Sequence, residues 1–274
     1  TENGVRQFTL APGAATLSVP LTWVDAASGL TVRRTLSLDR GSYVLGVQEQ
    51  VSNAGASAQQ LYPYVALDRV APPAPPKHSF MTSPETFSFI GAAWYTPEEK
   101  YEKATLADFE DVLPPSSDVK GGWIAMLQHH FVTAWVPLED QTQRFATSTR
   151  THNGVALYEI KSVAAPLAIA PGATATHSSR LWVGPKLQAP LEKLAPSLDR
   201  SVDYGIFYII SRPLFLLLSW LHGVLGNWGW AIIAIVVLLK AALYPLSAKQ
   251  YKSVAAMRAV QPPIEALKER YGDD

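Results

Sequence analysis

Cysteine is absent from the 274 residues. That excludes disulfides and thiolate metal sites, and it fits either a reducing compartment or an extracytoplasmic domain large enough to hold together without staples. Net charge is absent too, with 23 Lys+Arg against 23 Asp+Glu, but the balance conceals an asymmetry. Residues 1–203 carry 16 basic and 19 acidic side chains, and residues 204–274 carry 7 and 4, so the two parts face different surroundings. The slightly acidic front part has no cluster of basic residues with aromatics, which removes nucleic acid as a partner. Glycine-rich phosphate loops, nucleophile elbows and metal-spaced clusters are also missing, so no cofactor or metal is expected. The chain starts at Thr1 without an initiator methionine or signal peptide and stops at Asp274 straight after a helical pattern, so it is expected to be a piece of a longer protein.

Long apolar runs are confined to the back of the chain. Trp228 to Tyr244 is an apolar stretch interrupted only by Lys240. About 17 residues at roughly 1.5 Å each just reach across a hydrocarbon core of about 30 Å. Trp228, Trp230 and Tyr244 stand where interfacial aromatics belong. An ionisable group inside such a span costs about 3 kcal/mol to insert, so Lys240 is either functional or snorkels towards the headgroups. The residues alone leave both readings open.

The front part alternates with period two, as at Leu17, Val19, Leu21 and Trp23, at Tyr43, Leu45, Val47 and Val51, and at Trp123, Ala125, Leu127 and Phe131. Alternation of this kind predicts half-buried strands. Turn formers at 11–13, 52–56, Asn153-Gly154 and 170–172 separate them, which points to a large antiparallel sandwich. Four prolines between Ala71 and Pro76 predict a surface strap. The charged stretch from Tyr95 to Asp111 reads as a solvated edge or a short helix. Pro190 at a first helical position, followed by Leu191, Leu194 and Leu198, predicts a closing helix.

From Tyr204 to Leu225 the chain is apolar, with a narrow polar stripe at Tyr208, Arg212, Ser219, His222 and Gly226. A hairpin with the span would need a turn as short as Gly226-Asn227. Arg212, Pro213 and the stripe favour a helix lying in the membrane interface. Lys249, Lys252, Arg258, Lys268 and Arg270 follow the span, whereas only Arg212 precedes it between Asp203 and Gly229. The C-terminal side is therefore expected in the cytoplasm and the β domain outside it. Tyr251, Val254, Met257, Val260, Ile264, Leu267 and Tyr271 predict a further helix, broken at Pro262-Pro263.

The resulting organisation is a mainly β chain: a sandwich domain over 1–186, a closing helix and linker over 187–203, an interfacial amphipathic helix over 204–226, a transmembrane helix over 227–246 and a helix arm over 247–274. One rival function is a membrane-anchored, carbohydrate-binding or carbohydrate-active sandwich using His129, His130, His152 or His177 with Glu159 or Asp140. Their spacing does not demand chemistry. His129 and His130, adjacent on a strand, are expected to point to opposite faces.

Several motifs resemble the YidC membrane-protein insertase family: Phe131-Val-Thr-Ala-Trp-Val-Pro137, Leu181-Trp-Val-Gly-Pro185, Leu194-Ala-Pro-Ser-Leu-Asp199 with Val202-Asp-Tyr-Gly205, Gly226-Asn-Trp-Gly-Trp230, Tyr244-Pro-Leu246, and Met257 to Asp274 with Gln261-Pro262. The resemblance implies a periplasmic β-supersandwich, an amphipathic helix on the periplasmic face, a transmembrane helix, and the first arm of a cytoplasmic helical hairpin. It implies a non-enzymatic insertase and chaperone of the bacterial inner membrane. The partners it implies are nascent inner-membrane proteins, the Sec translocon with its accessory subunits, the lipid bilayer, and the ribosome through parts outside this chain. In that family a positive residue, usually arginine, lies in a hydrophilic groove that receives polar substrate segments, and Lys240 stands at its position. Lysine keeps the charge and loses the planar bidentate fork.

Overall fold

The structure, a computed structural model, describes residues 4, 6–71, 89–138, 141–202 and 208–272, with the side chain at 208 and most of those beyond Val254 left aside. It divides into two compact units, residues 1–203 and 204–274. The strap from 72 to 76 lies outside the described residues.

The first unit is built on an eight-stranded antiparallel sheet. Its order is β1 (Thr16–Asp25), β2 (Leu30–Asp39), β3 (Val44–Asn53), β14 (Thr174–Pro185), β10 (Phe131–Pro137), β9 (Trp123–Leu127), β6 (Gly91–Thr96) and β7 (Lys100–Thr105). A second sheet has the order β5 (Tyr64–Val70), β12 (Val155–Ala164), β11 (Thr142–His152) and β8 (Val119–Lys120). A small ladder joins β4 (Gln59–Leu61) to β13 (Leu167–Ile169). The hairpin of β11 and β12 turns at Asn153-Gly154, both with positive φ (50° and 76°). That is the backbone a two-residue primed turn requires, and Asn-Gly supplies it at least strain.

Strand β9 explains how the layers stack. All five of its residues are buried, because successive side chains enter different cores. Ile124 and Met126 join Trp94, Phe145 and Ile160 between the two sheets. Trp123, Ala125 and Leu127 join Trp182, Leu191 and Leu198 on the other face. That face is covered by helix α1 (Gln188–Leu194) and a 3-10 turn at Leu198–Ser201. The indole Nε1 of Trp123 donates to the carbonyl of Pro196 at 2.8 Å, fixing the helix to the sheet. Complete burial of a leucine such as Leu191 contributes about 1.5–3 kcal/mol, so α1 is held by packing rather than by length.

Two expectations change. The charged stretch from Tyr95 to Asp111 contains β7, an edge strand as read, but Phe109 within it is fully buried in the inter-sheet core. Its acidic and basic neighbours concealed that anchor. The long helix of the second unit also runs unbroken through Pro262 and Pro263, as α3 (Trp228–Tyr271). Proline's fixed φ lies in the helical range, which permits the run, although each interior proline removes a ladder bond and crowds the carbonyl four residues back at a cost of about 3 kcal/mol.

Candidate functional site

The second unit begins with α2 (Tyr208–Leu225), which contains Pro213. The turn to α3 is two residues long. Gly226 takes φ +66°, and its N–H donates to the His222 carbonyl at 2.8 Å. Asn227 then caps α3, its side-chain oxygen accepting from the Gly229 N–H at 2.7 Å. Such a cap satisfies one of the orphan donors of a helix start. Leu221 of α2 packs with Ala231 and Ile235 of α3 in a small buried cluster, flanked by Leu214, Leu217, Leu218, Ala234 and Leu239. The short turn named in the sequence reading as the condition for a hairpin is present, and the two helices touch along it.

His222 stacks on Trp228, with centroids 3.9 Å apart and planes 11° from parallel. The polar stripe pointed to His222 but not to this partner. The pairing depends on a two-residue turn bringing positions six apart face to face, which no single-helix periodicity encodes. Arg212 and Ser219 on the same stripe are half-buried, whereas Ile209, Leu216, Trp220 and Val224 are exposed. The open face of α2 is thus apolar.

Helix α3 contains one segment apolar and long enough to span a membrane, Trp228–Val254, 27 residues with mean hydropathy 2.1. The segment that passes on length and composition reaches beyond residue 246, the end expected for the transmembrane helix. At about 1.5 Å per residue, Lys240 lies roughly 18 Å along the axis from Trp228. With Trp228 at one boundary of a core of about 30 Å, the opposite boundary is about 12 Å further on. Tyr244 is only about 6 Å beyond Lys240 on the same axis, so where the headgroups meet α3 decides whether the stem reaches them. At 100° per residue Lys240 also sits about 140–180° around the helix from Ile235 and Ala231. It is exposed, beside Ile233, Val236 and Tyr244, which are exposed too. One face of α3 is therefore taken by α2 and the other carries the lysine.

Trp228, Trp230 and Tyr244 are all exposed, as interfacial aromatics must be to meet headgroups. Lys249 and Lys252 are exposed on the same helix, and the side chain of Arg258 lies outside the described residues. Pro245 falls within the helical run one residue after Tyr244.

The sugar-site candidates are not brought together. Glu159 accepts from the Ser148 hydroxyl at 3.0 Å and lies 3.4 Å from Arg150 and 3.8 Å from Lys161. Its carboxylate is engaged in a network across β11 and β12. His177 stands on β14 opposite Glu49 of β3, and burial pushes its pKa below the usual 6.5 against the opposing pull of Glu49. His152 ends β11, and Asp140 lies outside the described residues. His129 and His130 differ from expectation: they occupy the loop between β9 and β10, with ring centroids 3.9 Å apart at 86°. Strand pleating stops at Leu127, so nothing forces the two rings to opposite faces. Among the described residues no group of three or more His, Cys, Asp or Glu is placed to hold a metal ion.

Comparison with known proteins agrees with this architecture. The family described as YidC periplasmic domain matches residues 2–217, and the family described as 60Kd inner membrane protein matches residues 220–274. A membrane protein insertase YidC from Stenotrophomonas maltophilia (strain K279a) is 45% identical over 273 residues, which is 98% of this chain and 46% of that protein. The same-named protein of Xanthomonas campestris pv. campestris (strain 8004) is 46% identical over 271 residues, 97% of this chain and 46% of that one. The chain thus spans about half the length of the curated relatives it matches. Among solved structures, a putative aldose 1-epimerase from Escherichia coli K12 is 12% identical with a TM-score of 0.36, covering 65% of this chain and 68% of that one. A likeness at that score carries no argument. The sequence matches place the chain in the bacterial inner membrane with its β unit as a periplasmic domain. By the extent of both family matches and the identity to its relatives, this chain belongs to the YidC family of membrane protein insertases.

Proposed function

We propose that the protein inserts and folds inner-membrane proteins, alone or together with the Sec translocon, by a route without a covalent step. In this reading the Lys240 face of α3 is one wall of a hydrophilic groove, open towards the cytoplasm, that receives the polar part of an incoming substrate. The observation that carries it is the position of Lys240, exposed on the side of α3 turned away from Ala231 and Ile235. An acidic side chain carried towards the middle of a bilayer costs about 3 kcal/mol. A lysine ammonium about 4 Å away, at an effective dielectric near 20, returns about 4 kcal/mol. The two magnitudes match, so one positive charge is enough to lower the barrier while apolar segments pass into lipid.

Arg212, Trp228, Trp230 and Tyr244 would set the depth of α2 and α3, with α2 lying at the periplasmic interface through its open apolar face. Lys249, Lys252 and Arg258 would hold the following turns on the cytoplasmic side. Substrates in this reading are nascent inner-membrane proteins, Sec subunits are partners of the assembled protein, and ribosome contacts would involve the half of the relatives that this chain does not match. The test is insertion of a small inner-membrane substrate by the full-length protein. Lys240→Glu should abolish insertion, because repulsion replaces attraction, and Lys240→Arg should preserve it. Full activity of Lys240→Glu would remove the lysine from the mechanism.

A further inference from the structure

The first unit has a groove of about 440 Å³ between α1 and the turn from β2 to β3. Its polar rim is basic: Arg40, Arg180 and Lys193 line it, and among the described residues no carboxylate does. Its wall is apolar and aromatic, with Tyr43 and Trp182 5.5 Å apart at 47° and Leu194 beside them. Arg40 is held by the carbonyls of Ala14 and Ala11, at 3.2 and 3.3 Å, which position its charge without neutralising it. Arg180 Nε and Trp182 Nε1 are buried without a hydrogen-bond partner among the described residues.

We propose that this groove binds an anionic phospholipid, with the phosphate held by Arg40, Arg180 and Lys193 and one acyl chain laid along Tyr43, Trp182 and Leu194. Three cations lining a groove to which no described carboxylate contributes match a phosphodiester, whose oxygens suit a guanidinium fork. The apolar wall suits hydrocarbon, and the volume is that of a ligand site. An acidic peptide fits less well. The floor is formed by β3 and β14, whose ladders are already paired on both sides, so a peptide main chain finds no strand edge to extend.

The test uses the chain in phosphatidylcholine nanodiscs doped with photoreactive phosphatidylglycerol, with cross-links mapped by mass spectrometry. Labelling near Tyr43, Trp182 and Leu194 should saturate with phosphatidylglycerol and be absent with photoreactive phosphatidylcholine. Loss of one charged contact is worth about a tenfold drop in occupancy, expected for Arg180→Gln and for Lys193→Gln, while labelling on α3 stays constant as an internal control. Lys193 is exposed on α1, so its variant tests the site even if Arg180→Gln fails to fold. Equal labelling by both lipids, or labelling undiminished in Lys193→Gln, overturns the proposal. Complete displacement by inorganic phosphate would reduce the groove to an anion site, and displacement by an acidic apolar peptide alone would assign it to peptide; either result overturns the lipid assignment.

Discussion

Trp94, Trp123, Ile124 and Leu127 are almost wholly withdrawn from solvent in the β unit, whereas Ile209, Trp220, Val237 and Leu246 stand more than half exposed in the helical unit. In the second unit Leu221, Ala231 and Ile235 are the buried apolar side chains among the described residues. The residue types are the same, and what differs is the medium each unit is built for. The β unit must exclude water through its own packing, so its strands enter two cores at once. The helical unit leaves its apolar surface for lipid, where helices gain no hydrophobic advantage from hiding it from one another.

The contrast can be broken most forcefully at Trp123. Trp123→Ala should destabilise the β unit by about 3–5 kcal/mol, because it empties the face beneath α1 and removes the bond to Pro196. Denaturant unfolding followed by circular dichroism checks this, and a loss below about 1 kcal/mol would mean that α1 is not part of that core. A smaller effect is expected at the junction within the second unit. Asn227→Ala removes the cap on α3 at a cost of about 1 kcal/mol, and amide exchange at Gly229 should quicken roughly fivefold. Unchanged exchange would mean that the turn is held by packing alone. The smallest effect is a pH dependence confined to the β unit. The pKa of His177 is lowered in the fold by burial, so its contribution is complete above the unfolded value near 6.5 and is lost as pH falls through that value, where the unfolded chain takes up the proton first. Between about pH 7.5 and about pH 5 the melting temperature should fall, and His177→Gln should flatten the slope. An identical slope in the variant would assign the acid sensitivity elsewhere.

Much of this architecture was legible in sequence, for reasons that also mark where legibility stops. Alternation found β1, yet Trp23 within it is exposed, because periodicity reports a pleat and cannot tell an edge strand from a central one. In β9 the alternate set Trp123, Ala125 and Leu127 was visible, while the burial of Ile124 and Met126 on the opposite face required a second sheet built from residues far along the chain. Asn153-Gly154 was readable because a primed turn accepts few residue pairs. The apolar run of α3 and its lysine were plain, but the orientation of Lys240 relative to α2 depended on the tight turn at Gly226-Asn227. His129 and His130 were misplaced because a strand was assumed to continue where a loop begins.

Pro245 carries a consequence for the helix around it. Lacking an N–H, it leaves the carbonyl of Ala241 without its intrahelical donor, and Ala241 immediately follows Lys240 in α3. A bare acceptor and an ammonium therefore lie within one turn of each other in a stretch otherwise made of hydrocarbon. In a bilayer neither group can stay dry at low cost, and freed carbonyls in spanning helices are commonly met by ordered water. Pro245 thus marks, in the backbone, the same turn of α3 that Lys240 marks by its charge.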